Sequence, residues 1–159
     1  MTTADKIAAL AALAVAATIY LGGKTTMYLI NQPRGLRLNN PGNIRHGSSQ
    51  WQGMSEKQTD PAFVQFDDPR YGFRAMARIL ASYRRRGITT IKGIISTWAP
   101  DSENNTAAYI AHAAKYMGGH ENTEINSHNM AQFFELITLH ENGVQPFSRE
   151  FIQQGINWA

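Results

Sequence analysis

"MAQFFELITLHENG" runs from Met130 to Gly143. Met130, Phe133, Phe134 and Ile137 fall at i, i+3, i+4 and i+7, the spacing of one apolar face of a helix. Ser127 or Asn129 can start that helix, and Gly143 can end it. Four residues beyond Ile137 the same face reaches Glu141. An unpaired carboxylate on a buried face is costly, so the pKa of Glu141 is expected to rise. A carboxylic acid that keeps its proton in an apolar cleft can protonate a leaving oxygen. The competing reading is that the helix frays before Glu141, which then lies in solvent.

Upstream, three more stretches carry helical spacing. Phe73, Met76, Ala77, Leu80 and Tyr83 form a stripe after "DDPRYG" that ends at Gly87. Ile91, Ile94, Ile95 and Trp98 follow Thr89 or Thr90, and Pro100 follows them. Ile110, Ala113, Ala114 and Met117 follow Asn105 or Thr106, and Gly118-Gly119 closes the segment. "AFVQF", Ala62 to Phe66, alternates as a short strand does. "NNPGNIRHGSSQWQG", Asn39 to Gly53, is dense in turn formers. The expected fold class is mainly α (α+β): a compact helical domain with a small β element near its N-terminal end.

The chain has 159 residues, 43% of them hydrophobic, which suits one domain plus an appendage. It has no cysteine, which excludes disulfides and thiolate chemistry. A net charge of +3 is too small to point to nucleic acid, but it favours anionic surfaces such as membranes or bacterial wall polymers. His46, His112, His120, His128 and His140 show no metal-ligand spacing, and no phosphate-binding glycine loop occurs. No metal, other cofactor or nucleic-acid partner is therefore expected. Arg84, Arg85 and Arg86 read as a solvated helix end.

The appendage is "IAALAALAVAATIYLGG", Ile7 to Gly23, uncharged between Lys6 and Lys24. As a helix its length is about 26 Å, just enough for a bilayer core. Its alanine content makes it weakly hydrophobic. A buried core helix and a cleaved signal peptide are the competing readings. The expected organisation is a membrane anchor at 1–24, a linker at 25–33 and a globular domain at 34–159. The lipid bilayer is then a partner through residues 7–23. The flanking charges do not decide the membrane side.

"NNPGNIR" at 39–45, Trp51-Gln52-Gly53 and "FVQF" at 63–66 together resemble the signature of flagellar-type glucosaminidases and related lysozyme-like wall hydrolases. In that family such a turn, Trp-x-Gly and Phe-rich strand build the β lobe of the cleft. The family's catalytic glutamate precedes this block in a segment like "HESG". Here the residues before the block contain no glutamate, and the similar "HENG", His140 to Gly143, lies at the other end. The resemblance implies a circularly permuted lysozyme-like fold. Arg34 to about Met117 is also similar to small phage virion proteins, through "NNPGNIR", "D-P-x-F-x-x-F", "G-x-R-A-M-A-R-I-L" and "W-A-P-x-x-E-N-N-T-x-x-Y-I". That likeness implies a phage-borne, wall-directed protein, with other virion proteins as further partners.

From these resemblances the expected activity is cleavage of peptidoglycan glycan strands, with Glu141 as general acid. Lytic transglycosylases of this fold manage with one glutamate, because the muramic 6-hydroxyl attacks internally. Hydrolases need a second carboxylate, for which Asp60 is the candidate. Glu103, before a helix start, is a third candidate acid; capping is its plainer role. Asn43, Arg45, Trp51, Gln65 and Tyr109 are the candidate substrate-binding residues, each also readable as structural. The alternatives are an inactive, wall-binding virion protein held in a membrane, and a lysis enzyme released from its weak anchor.

Overall fold

The computed structural model describes residues 32–102 and 105–159, and Arg34–Ala159 form one compact unit. Its helices are α1 (Arg34–Arg37), α2 (Pro69–Arg85), α3 (Ile91–Trp98), α4 (Thr106–Tyr116), α5 (Met130–Asn142) and α6 (Arg149–Asn157). Most starts follow from local chemistry. Asp68 accepts from the Arg70 N–H ahead of Pro69, and Thr90, Asn105 and Ser148 cap α3, α4 and α6 in the same way. Gly143 ends α5 in the left-handed region at φ 72°, where glycine carries no Cβ penalty. The helix therefore runs through Glu141 rather than fraying before it.

α5 differs from a one-sided stripe. Phe133, Phe134, Glu135, Leu136, Ile137 and Thr138 are all buried in succession. A helix buried all round is the centre of a core. α6 packs against both α2 and α5, and α4 against α3 and α5. Phe73 of α2 stacks on Phe134 and meets Phe147 edge-on, with ring centroids 5.2 Å apart in the second pair. Fully burying side chains of this kind stabilises by roughly 1.5–3 kcal/mol each. Beyond Gly143, where no helix is expected from the sequence, Ser148 starts α6 over Arg149–Asn157.

Two parts of the expected fold class are corrected. First, no strand forms among the described residues. Phe63 bridges Arg45 and Phe66 bridges Met54, so each pairing is isolated and no ladder develops. Side chains close the segment instead: Asp60 accepts from the N–H groups of Ala62 and Phe63, and Gln65 is bonded to Gln58 and Thr59. Second, no helix among the described residues is long and apolar enough to cross a membrane. The longest, α2, has 17 residues and carries arginine along its length. The segment at 7–23 read as an anchor lies outside the described residues.

Candidate active site

The turn at 39–45 is built by three asparagines with different tasks. Asn40 is fully buried and satisfied: its amide donates to the carbonyls of Ile44 and Val64 and accepts from the Ile44 N–H. Asn39 donates to the Phe66 carbonyl. Asn39 and Asn43 have positive φ, 53° and 48°, a region asparagine enters more readily than most residues. The third, Asn43, turns its amide across the molecule to Glu141. Its Nδ2 lies 3.1 Å from Glu141 Oε2 and 3.3 Å from the Glu141 carbonyl.

Two further elements reach the same carboxyl. The Tyr109 hydroxyl of α4 donates to Oε1 at 3.5 Å, and the Trp98 side chain at the end of α3 stands near enough to pull the carboxyl's pKa down. Trp98 can come close because position 42 is glycine: a Cβ there would stand 2.9 Å from the indole. Asn142, next to Glu141, is pinned by bonds to the carbonyls of Pro41 and Thr138. The turn block and "HENG", about a hundred residues apart in the chain, thus meet.

Burial raises the Glu141 carboxyl above its ordinary value of 4.5, against the downward pull of Asn43, Tyr109 and Trp98. All three groups are neutral, and none brings a positive charge. Burial, with Glu141 beside it, also pushes the Tyr109 hydroxyl far up, so it remains a donor. His140 stacks flat on Tyr109, centroids 3.4 Å apart, and its Nδ1 lies 3.5 Å from His112 Nδ1. Burial and the neighbouring His112 lower the pKa of His140. The arrangement can hold a proton on a carboxyl whose position is fixed by two other segments, through Asn43 and Tyr109.

Of the residues singled out from the sequence, Asn43 and Tyr109 join Glu141. Asp60 does not. Its carboxylate closes its own turn and pairs with Arg34 at 3.6 Å. The Ala62 N–H, the Phe63 N–H and Arg34 hold it below the usual carboxylate range. Arg45 is exposed and lies over the Phe63 ring, 5.0 Å from its centroid. Trp51 is half-buried and packs on the core, with its backbone N–H donating to Met54 Sδ. The Gln65 side chain accepts from Thr59. Glu103 lies outside the described residues. Among the described residues, no group of three or more His, Cys, Asp or Glu is placed to hold a metal.

Trp98, Asn142 and His140 were not singled out as site residues. Trp98 reads as a member of an apolar stripe, and nothing in its spacing reveals that it lies beside Glu141. Asn142 could have been noticed as a second asparagine beside the acid. Two shallow depressions, one lined by Arg149, Glu150, Gln153, Gln154 and Asn157, the other by Gln52, Tyr71 and Trp158, include neither Glu141 nor its bonded partners.

No protein-family model matches the chain. It is similar to protein P5 of Pseudoalteromonas phage PM2, 40% identical over 130 residues that cover 79% of this chain and 81% of the relative. Likeness of this degree along most of both chains makes this protein a member of the phage protein P5 family.

Proposed function

We propose that this phage protein cleaves the glycan strands of peptidoglycan, with Glu141 protonating the glycosidic oxygen. The observation that supports this most is the Glu141 carboxyl itself: pushed up by burial and held by neutral donors from two separate segments, Asn43 and Tyr109. The spatial meeting of the 39–45 turn with "HENG" fits a permuted lysozyme-like arrangement. Asn43 would steady the carboxylate left after proton transfer, and Tyr109 would share that task.

A one-carboxylate mechanism is favoured. Asp60 is committed to its turn and to Arg34, and among the described residues no second carboxylate shares a hydrogen-bond partner with Glu141. Without a second group to manage water, internal attack by the muramic 6-hydroxyl is the better route, as in a lytic transglycosylase. The test is digestion of purified peptidoglycan by the full chain, with product ends read by mass spectrometry. Products with 1,6-anhydro ends are expected. Reducing ends would mean hydrolysis.

One observation favours a second reading. Both Glu141 oxygens already have partners within the fold, and neither surface depression is lined by that carboxyl. An inactive domain that only binds wall glycan would keep the same network as a structural pin. Retention on peptidoglycan without soluble products would select it.

A further inference from the structure

We propose that Gly35 is a positioning residue for Glu141: its bare Cα sets the orientation of the Asn43 amide, which in turn holds the carboxyl. The idea deepens the proposed reaction and takes from it only the role of Glu141 as the acid.

Gly35 is buried in α1, and no positive φ requires glycine there. Space does. A Cβ at this position would meet Asn142 Oδ1, would lie 2.6 Å from Asn43 Oδ1, and would lie 2.7 Å from the Asn40 carbonyl oxygen. All three are far inside van der Waals contact, so only a hydrogen fits. The turn cannot easily retreat, because the Asn40 N–H is bonded to the Gly35 carbonyl at 2.7 Å.

The two amide oxygens crowded onto Gly35 share a second property. Asn43 Oδ1 and Asn142 Oδ1 are both buried without a hydrogen-bond partner among the described residues. Buried acceptors of that kind are rare. Here they face a Cα–H, which can serve as a weak donor. The other end of each amide is fully used: Asn43 Nδ2 on Glu141, Asn142 Nδ2 on Pro41 and Thr138. Turning the Asn43 amide over would set Oδ1 against two Glu141 oxygens. Turned as it is, Oδ1 needs a neighbour with no side chain. Gly35 supplies that neighbour, and Asn43 therefore donates to the acid.

The test follows the Glu141 carboxyl by carbon NMR titration in the full chain. In Gly35→Ala the methyl displaces the Asn43 amide, a donor to the carboxylate is lost, and the Glu141 midpoint moves upward. Asn43→Gly keeps the left-handed backbone and removes the amide. In that background, Gly35→Ala should move the midpoint no further. A folded Gly35→Ala with an unchanged midpoint, or the same shift persisting in Asn43→Gly, would overturn the proposal. Should Gly35→Ala not fold, the Hα shifts of Gly35 decide. One Hα is expected downfield of the other in the native protein and should move upfield in Asn43→Gly. Shifts that ignore Asn43→Gly would also overturn it. None of these readouts uses glycan cleavage, so an inactive native protein would remove the proposed reaction and leave the positioning measurable.

Discussion

Glu135 and Glu141 stand on the same helix, six residues apart, and are treated in opposite ways. Glu135 is 8% exposed, and its two oxygens take a bidentate pair of bonds from Arg149, at 3.0 and 2.7 Å. Glu141 receives an amide and a phenol, neither of them charged. A guanidinium matches a carboxylate charge, whereas neutral donors fix a carboxyl in place and leave its charge uncompensated. The first arrangement suits a fold, fastening α6 to α5. The second suits a group that must carry a proton and give it up.

The largest expected effect separates them by activity. Glu141→Gln preserves shape but removes the acid, and release of soluble fragments from peptidoglycan should fall about 100-fold or more. Far-ultraviolet circular dichroism should be unchanged. Glu135→Gln should leave that rate standing. If the two variants lose activity equally, the division of labour between the glutamates is wrong.

Stability should show the reverse order. Glu135→Gln loses a charge-assisted pair, and denaturant titration should show a loss of about 1–2 kcal/mol, moderated because Arg149 is more than half exposed. Glu141→Gln should lose less than that, and at neutral pH it should gain. The sign follows from linkage. The folded pKa of Glu141 lies above 4.5, so the folded state binds more protons between that value and the raised one. Native stability therefore falls as pH rises through that window. Melting temperatures of the native protein and Glu141→Gln, compared across pH, should diverge in favour of the variant through the window and then run parallel. A gap that is constant with pH would show that the carboxyl is not raised.

Asp60→Asn is expected to do least. The amide oxygen can still accept from Ala62 and Phe63, and only the charge toward Arg34 is lost. Cleavage should stay at the native rate. A dead Asp60→Asn with an intact fold would restore the second carboxylate and with it a hydrolytic route.

Much of this contrast was legible in the residues. The i+4 step from Ile137 places Glu141 on the inner face, and the asparagine-rich turn nominates Asn43. Glu135 was not visible as a buried charge, because it lies off the apolar stripe. Arg149 at the start of α6 covers its carboxylate, and Ser148, Phe151, Ile152 and Ile156 were signals from which that helix could have been read. Trp98 was legible as core but not as a neighbour of Glu141, since its reach depends on Gly42 from a distant segment. The alternation in "AFVQF" pointed to a strand, yet a strand needs a neighbour of matching length. Asp60 and the Gln58–Gln65 bonds fold the segment on itself instead.

The pH dependence of fragment release from purified peptidoglycan by the full chain bears most directly on Glu141 as a glycan-cleaving acid. A general acid works only while protonated, so the rate should hold past pH 4.5 and fall on an alkaline limb that marks the raised carboxyl. No release at any pH, or a rate that climbs as Glu141 ionises, would contradict it.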